Sequence, residues 1–216
     1  AERVAVNFAN ALTLRGYSTY LCATRKGGPL QIDLSSDVGF LLLGKRTSLD
    51  ILAMLRLKKY IKSENIQVVH SHGSSLFLAA FVKFLDPLLK VLWHVHYGAL
   101  TNANGMIWVY KMLLRKVDGI IVVNHKLEEW VINTLQFPPE KGWFLPNYVA
   151  EKEVNPVPDL PGQPGSRLVC VANLRRQKDH LTLIRAMRII VSEIPHAHLF
   201  LVGADSGDGS LRGITN

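Results

Sequence analysis

Thiols are scarce in this chain: Cys22 and Cys170 are the only cysteines among 216 residues. Both sit in apolar, strand-like runs far apart in sequence, which predicts two reduced core thiols in a cytosolic protein and excludes a disulfide scaffold or a cysteine metal cluster. A Gly-x-Gly-x-x-Gly signature after a strand is also missing, and this disfavours a dehydrogenase. The N-terminal AERVAVNFANALTLRGY has neither the long apolar segment nor the small-residue cleavage site of a signal peptide. Long hydrophobic runs are absent as well. The most apolar window, Leu76 to Trp93, carries Lys83, Asp86, Pro87 and Lys90, all costly in hydrocarbon, so no membrane span is expected.

Acidic residues are the other shortage. Lys and Arg number 25 against 17 Asp and Glu, a formal net charge of +8. Such a balance favours anionic partners: nucleotides, phosphorylated lipids, nucleic acid or an acidic membrane surface. The basic residues scatter over helix ends and loops without an aromatic stacking platform, which argues against nucleic acid. With 48% apolar and 19% charged residues the chain has the makings of an ordinary α/β protein with a real core.

Strand and helix patterns alternate from the start. Val4, Phe8, Ala11 and Leu12 form the apolar face of an opening helix that Gly16 is placed to end. Strands are predicted at Thr19 to Thr24, Val38 to Leu43, Gln67 to His70, Lys90 to His96, Gly119 to Val123 and Trp143 to Leu145. Helices are predicted from Ile51, from Leu76, over Met106 to Lys116 and over Lys126 to Leu135. Thr47 with Asp50 reads as a capping box for the helix at Ile51. Alternation of this kind implies a parallel sheet covered on both faces, with ligands at the carboxyl ends of its strands. Over 150–166 the periodicity vanishes and four of the ten prolines appear, the mark of a linker. A second β-α-β pattern follows over 167–216, too short for a large core of its own.

The start of that second pattern carries the most chemical information. The strand Leu168 to Ala172 breaks into a loop with Arg175, Arg176 and Lys178, and a helix follows that Asp179 can cap. Free amides at the helix start would sit beside three cations, a place suited to a phosphate or diphosphate. Two His-x-His pairs, His70 with His72 and His94 with His96, each put two imidazoles on one strand face. No spaced carboxylate or cysteine set completes either pair, so no metal is expected. Lys111, Arg115 and Lys116 beside Ile107, Trp108 and Leu114 fit either a peripheral contact with an anionic membrane or a core-facing helix with a basic outer face.

Taken in order, these motifs resemble the group 1 (family 4) glycosyltransferases of the GT-B fold. AERVAVNFANALTLRGY is similar to the family's first helix; VVHSHGS, KVLWHVHYG, DGIIVVN and FLPNYV are similar to its N-domain strand ends. VANLRRQKDHLTLIRAM followed by HAHLFLVGAD is similar to the opening of its nucleotide-binding domain. The resemblance implies an acceptor-side Rossmann-like domain over 1–149, a linker over 150–166 and the start of a nucleotide-sugar-binding domain over 167–216. It also implies a first strand and glycine-rich loop before Ala1, and an E-x7-E element beyond Asn216.

The activity implied is transfer of a hexosyl group from a nucleotide-sugar to a glycan or lipid-linked acceptor, with retention and without a metal or other cofactor. The setting implied is cell-surface polysaccharide or glycolipid synthesis in the cytoplasm, at the inner face of the membrane. Lys178 matches the family's phosphate-binding lysine. The family's arginine position is Asn173 here, so Arg175 is expected to substitute for that cation. Gly203 ends the next strand against the same donor site. His96 falls on the histidine near the reacting sugar, and His72 is placed to line the acceptor cleft. Two other readings stand beside this one: a non-catalytic remnant that binds a phosphorylated ligand or a partner chain, and a nucleotide-sugar epimerase of the same fold.

Overall fold

The computed structural model describes residues 2–47, 50–96, 104–148, 159–175 and 178–204. The chain divides into two compact units, Ala1–Glu151 and Lys152–Asn216.

In the first unit, α1 (Glu2–Leu14) is ended by Gly16 in a left-handed conformation, φ 83°. Asn10 ties it to the following loop: its Nδ2 donates to the Asp33 carbonyl at 2.8 Å and its Oδ1 accepts from the Ser35 N–H at 2.9 Å. Strands β1 (Tyr20–Ala23) and β2 (Gly39–Leu42) pair in parallel. Helix α2 (Ile51–Ser63) is capped by Asp50, which accepts the Ala53 N–H at 2.9 Å and the Arg46 N–H at 3.0 Å. This corrects the capping-box expectation. Asp50, not Thr47, occupies the cap, because its carboxylate reaches amides on both sides.

The chain continues through β3 (Val68–His72), α3 (Leu76–Leu85), β4 (Lys90–Val95), α4 (Ile107–Leu114), β5 (Gly119–Val122), α5 (His125–Glu129) and β6 (Gly142–Phe144). Asn124 caps α5, accepting the Leu127 N–H at 2.9 Å. The helix expected to run to Leu135 widens into a π-turn over Trp130–Thr134. Strands β3, β4, β5 and β6 form one parallel sheet in that order, while β1 and β2 form a separate parallel pair. Strand β3 also runs two residues further than expected, taking His72 into the sheet.

Strand parity decides what each face carries. Val91, Trp93 and Val95 of β4 are fully buried in the main core with Leu76, Ile120, Leu127 and Val131. Leu92, His94 and the following His96 take the alternate positions, toward the other face. A second core, of Ala53, Met54, Leu57, Ile61, Leu78 and Val82, joins α2 to α3. Of the residues expected at a membrane interface, Leu114 is buried in the main core and Ile107 packs against it, whereas Trp108 is 67% exposed. Among the described residues no helix is long and apolar enough to cross a membrane.

The second unit holds β7 (Arg167–Val171), α6 (His180–Glu193) and β8 (His198–Val202). Its strands are parallel, registered from Arg167 opposite His198 to Val171 opposite Val202. Cys22 and Cys170 are both free, and burial pushes the Cys22 thiol up to about 11, which keeps it protonated at neutral pH.

Candidate functional site

In the second unit, pairing of the strand ends continues past β7 and β8. The Ala172 N–H donates to the Val202 carbonyl at 2.9 Å and the Leu174 N–H to the Ala204 carbonyl at 3.0 Å. Asn173 is thereby held beside Gly203. That glycine is required by close approach: a Cβ there would overlap the Ala172 carbonyl and press on the Asn173 Cα. The loop then closes a tight turn, with the Lys178 N–H donating to the Arg175 carbonyl at 2.9 Å. Asn173, Arg175, Lys178 and Gly203 therefore line one open groove of about 570 Å³ together with Val171, Ala172 and Val202. Arg176, the third cation of the expected loop, lies outside the described residues.

Asp179 caps α6 from a left-handed conformation, φ 48° and ψ 48°, its side chain accepting the Thr182 N–H at 3.4 Å. The cap expected at Asp179 is present, and its carboxylate takes one of the amides at the helix start. Positive charge at the groove consequently rests on Lys178 and Arg175 more than on the helix dipole. The next residue, His180, is buried with neither ring nitrogen bonded. Sequence reasoning passed over it, because it reads as an ordinary first helical residue.

The first unit gathers histidines. Register on β3 and β4 sets His72 opposite His94, and the two-residue period then brings His70, His72, His94 and His96 to one face. His70 Nε2 lies 3.1 Å from His94 Nδ1, and His72 Nδ1 lies 2.9 Å from His96 Nε2. Phe8 of α1 stands edge-on to the rings of His70 and His94, with centroids 5.2 and 5.7 Å away. His94 is only 1% exposed. Burial holds all four imidazoles below their usual range, His70 and His96 to about 4 and His94 to about 3, with neighbouring rings adding to the effect on His72 and His94. At neutral pH the cluster is uncharged, so His96 can exchange hydrogen bonds with a sugar hydroxyl but brings no cation. His72 and His96, expected separately at the substrate sites, are in direct contact; His70 and His94 join them.

The family model described as Glycosyltransferase Family 4 matches residues 1–152. The chain belongs to glycosyltransferase family 4. Among solved structures it is similar to a glycosyltransferase from Rickettsia africae ESF-5, with a TM-score of 0.62 and 14% identity over 99% of this chain and 67% of that one. It is also similar to the sucrose-phosphate synthase of Thermosynechococcus elongatus, at 0.67 and 18% identity over 97% of this chain and 60% of that one. Acinetobacter baumannii MurG gives 0.50 and 14% identity over 94% of this chain and 63% of that one. At these identities the likeness is one of fold, the α/β architecture with parallel sheets of the GT-B type. The family 4 chain thus spans 60 to 67% of the length of these three proteins. No curated protein matches its sequence. The matched family 4 region takes in the histidine cluster and stops short of the groove around Lys178.

Proposed function

We propose that this family 4 chain serves a glycosyltransferase that moves a hexosyl group from a nucleotide-sugar to a glycan or lipid-linked acceptor with retention, in cell-surface polysaccharide or glycolipid synthesis. In this reading Lys178 and Arg175 neutralise the diphosphate as it departs, the main electrostatic task when a glycosidic bond breaks toward an oxocarbenium-like state. Asn173 hydrogen-bonds a phosphate oxygen, and Gly203 lets the donor approach the backbone. His96, a neutral imidazole, positions a sugar hydroxyl, and His72 lines the acceptor side. No metal takes part in the transfer. The reaction belongs in the cytoplasm, with a peripheral contact to the anionic inner face of the membrane.

One observation carries the reading: two lysine and arginine cations share an open groove at the carboxyl ends of two parallel strands, in a chain of glycosyltransferase family 4. Calorimetric titration with a panel of nucleoside diphosphates tests it. A charge-assisted contact is worth roughly 1.5–3 kcal/mol, so Lys178→Ala should weaken binding about 10- to 100-fold. Lack of binding to every diphosphate, or equal binding by the variant, would remove the donor-site reading. Binding without any transfer that depends on His96 would favour the non-catalytic alternative.

A further inference from the structure

The histidine cluster does more than place His96 and His72. Among the described residues, one group of three or more potential metal-ligating side chains converges: His70, His72 and His94 each offer a ring nitrogen, and these nitrogens lie within 4.8 Å of one another. Neither His-x-His pair has a carboxylate or cysteine spaced in sequence to complete it. Register supplies the completion from a neighbouring strand, with imidazole alone.

We propose that His70, His72 and His94 form a binding site for a first-row divalent transition-metal ion, zinc above all. The inference goes beyond the transfer reaction and does not rest on it. Imidazole nitrogens bind zinc at about 2.0–2.1 Å, which sets ligand nitrogens in a tetrahedron roughly 3.4 Å apart. His70 Nε2 and His94 Nδ1 already stand at 3.1 Å. Bringing in the His72 nitrogen needs a movement on the order of 1 Å, within reach of side-chain rotation.

Hydrogen bonding among the rings does not satisfy them. A neutral imidazole has one N–H and one lone pair, so each N···N contact joins one donor to one acceptor. His94 Nε2 is left buried with no partner. An ion draws lone pairs from three rings at once, which their mutual hydrogen bonds cannot. His72 would bind through Nε2, because its Nδ1 is engaged 2.9 Å from His96 Nε2. His96 is then the outer partner that fixes the tautomer and plane of a ligand ring, a common arrangement around metal-bound histidine. Phe8 walls the cluster from α1 and limits water. Three neutral ligands leave the fourth position to water or an anion.

The all-imidazole set also narrows the ion. Nitrogen ligands suit zinc, cobalt, nickel and copper, whereas magnesium and calcium require oxygen.

The test is cobalt titration of the untagged chain after chelator treatment and desalting. One equivalent of cobalt should produce the visible d–d absorption of a four- or five-coordinate nitrogen site, and one equivalent of zinc should abolish it. His70→Gln and His94→Gln should each weaken binding on the order of 100-fold, while His125→Gln, an exposed control, should not change it. The wild-type spectrum requires no variant, so a misfolded His94→Gln leaves the test intact; His70, only partly buried, is the second handle. Absence of the cobalt band in the wild type, or an undiminished band in folded His70→Gln, would overturn the site.

Discussion

Lowering the pH below 6.5 should destabilise the first unit through its histidines. His70, His72, His94 and His96 are held below their ordinary value near 6.5, to about 4 for His70 and His96. As the pH drops below 6.5 the unfolded chain takes up protons that the folded chain refuses, so stability is full above that value and is lost on the way down to the folded values. Between about pH 7 and about pH 5.5 each such histidine accounts for about 1.2 kcal/mol. Three of the rings are partly exposed, and allowing for screening brings the sum to about 3 kcal/mol. That is a large share of the roughly 5–15 kcal/mol by which domains are stable. Asp50 and Asp118 titrate below 3.8 and add nothing in this window. Urea unfolding followed by tryptophan fluorescence reads the effect, because Trp93 and Trp130 lie in the main core. Chelator in the buffer keeps metal out of the measurement. A free energy of unfolding within about 0.5 kcal/mol at the two pH values would refute the reasoning.

Gly203→Ala should damage the groove and the strand pair together, since its Cβ would meet the backbone of Ala172 and Asn173. Diphosphate affinity and the melting temperature of the second unit should both fall, and an unchanged melting curve would count against the close approach. Asp118→Ala removes the partner of Lys83 at 2.6 Å and of the Val91 N–H at 2.8 Å. Lys83 is only 12% exposed, so stranding its ammonium should cost roughly 1.5–3 kcal/mol in urea unfolding. A loss below about 0.5 kcal/mol would mean that the pair behaves as a solvated surface contact.

Much of the architecture was legible because hydrophobic periodicity reports directly on which face a residue buries. Val91, Trp93 and Val95 announce a buried strand face, and Gly16 announces the end of a helix. The groove of Asn173, Arg175, Lys178 and Gly203 was legible for a similar reason: its residues lie on consecutive strand ends and one short turn. The histidine cluster was not. His-x-His shows that two imidazoles share a face, but only strand order and register reveal that a second pair stands 3 Å away. Thr47 misled because a capping box has the same spacing as a loop threonine ahead of an aspartate that caps by itself. The π-turn at Trp130–Thr134 leaves no signature in the pattern of apolar residues.

Among the described residues every strand pairing is parallel. Parallel neighbours cannot be joined by a hairpin, so each pair forms only after the chain has closed a crossover. The ladder from Arg167–His198 to Val171–Val202 illustrates this: its first hydrogen bond must wait for all of α6. None of these described pairs can nucleate locally, and the entropy of loop closure falls on the early steps of folding. The same topology that brings the ends of β7 and β8 together therefore makes refolding slow, with the apolar edges of unpaired strands open to other chains while it proceeds.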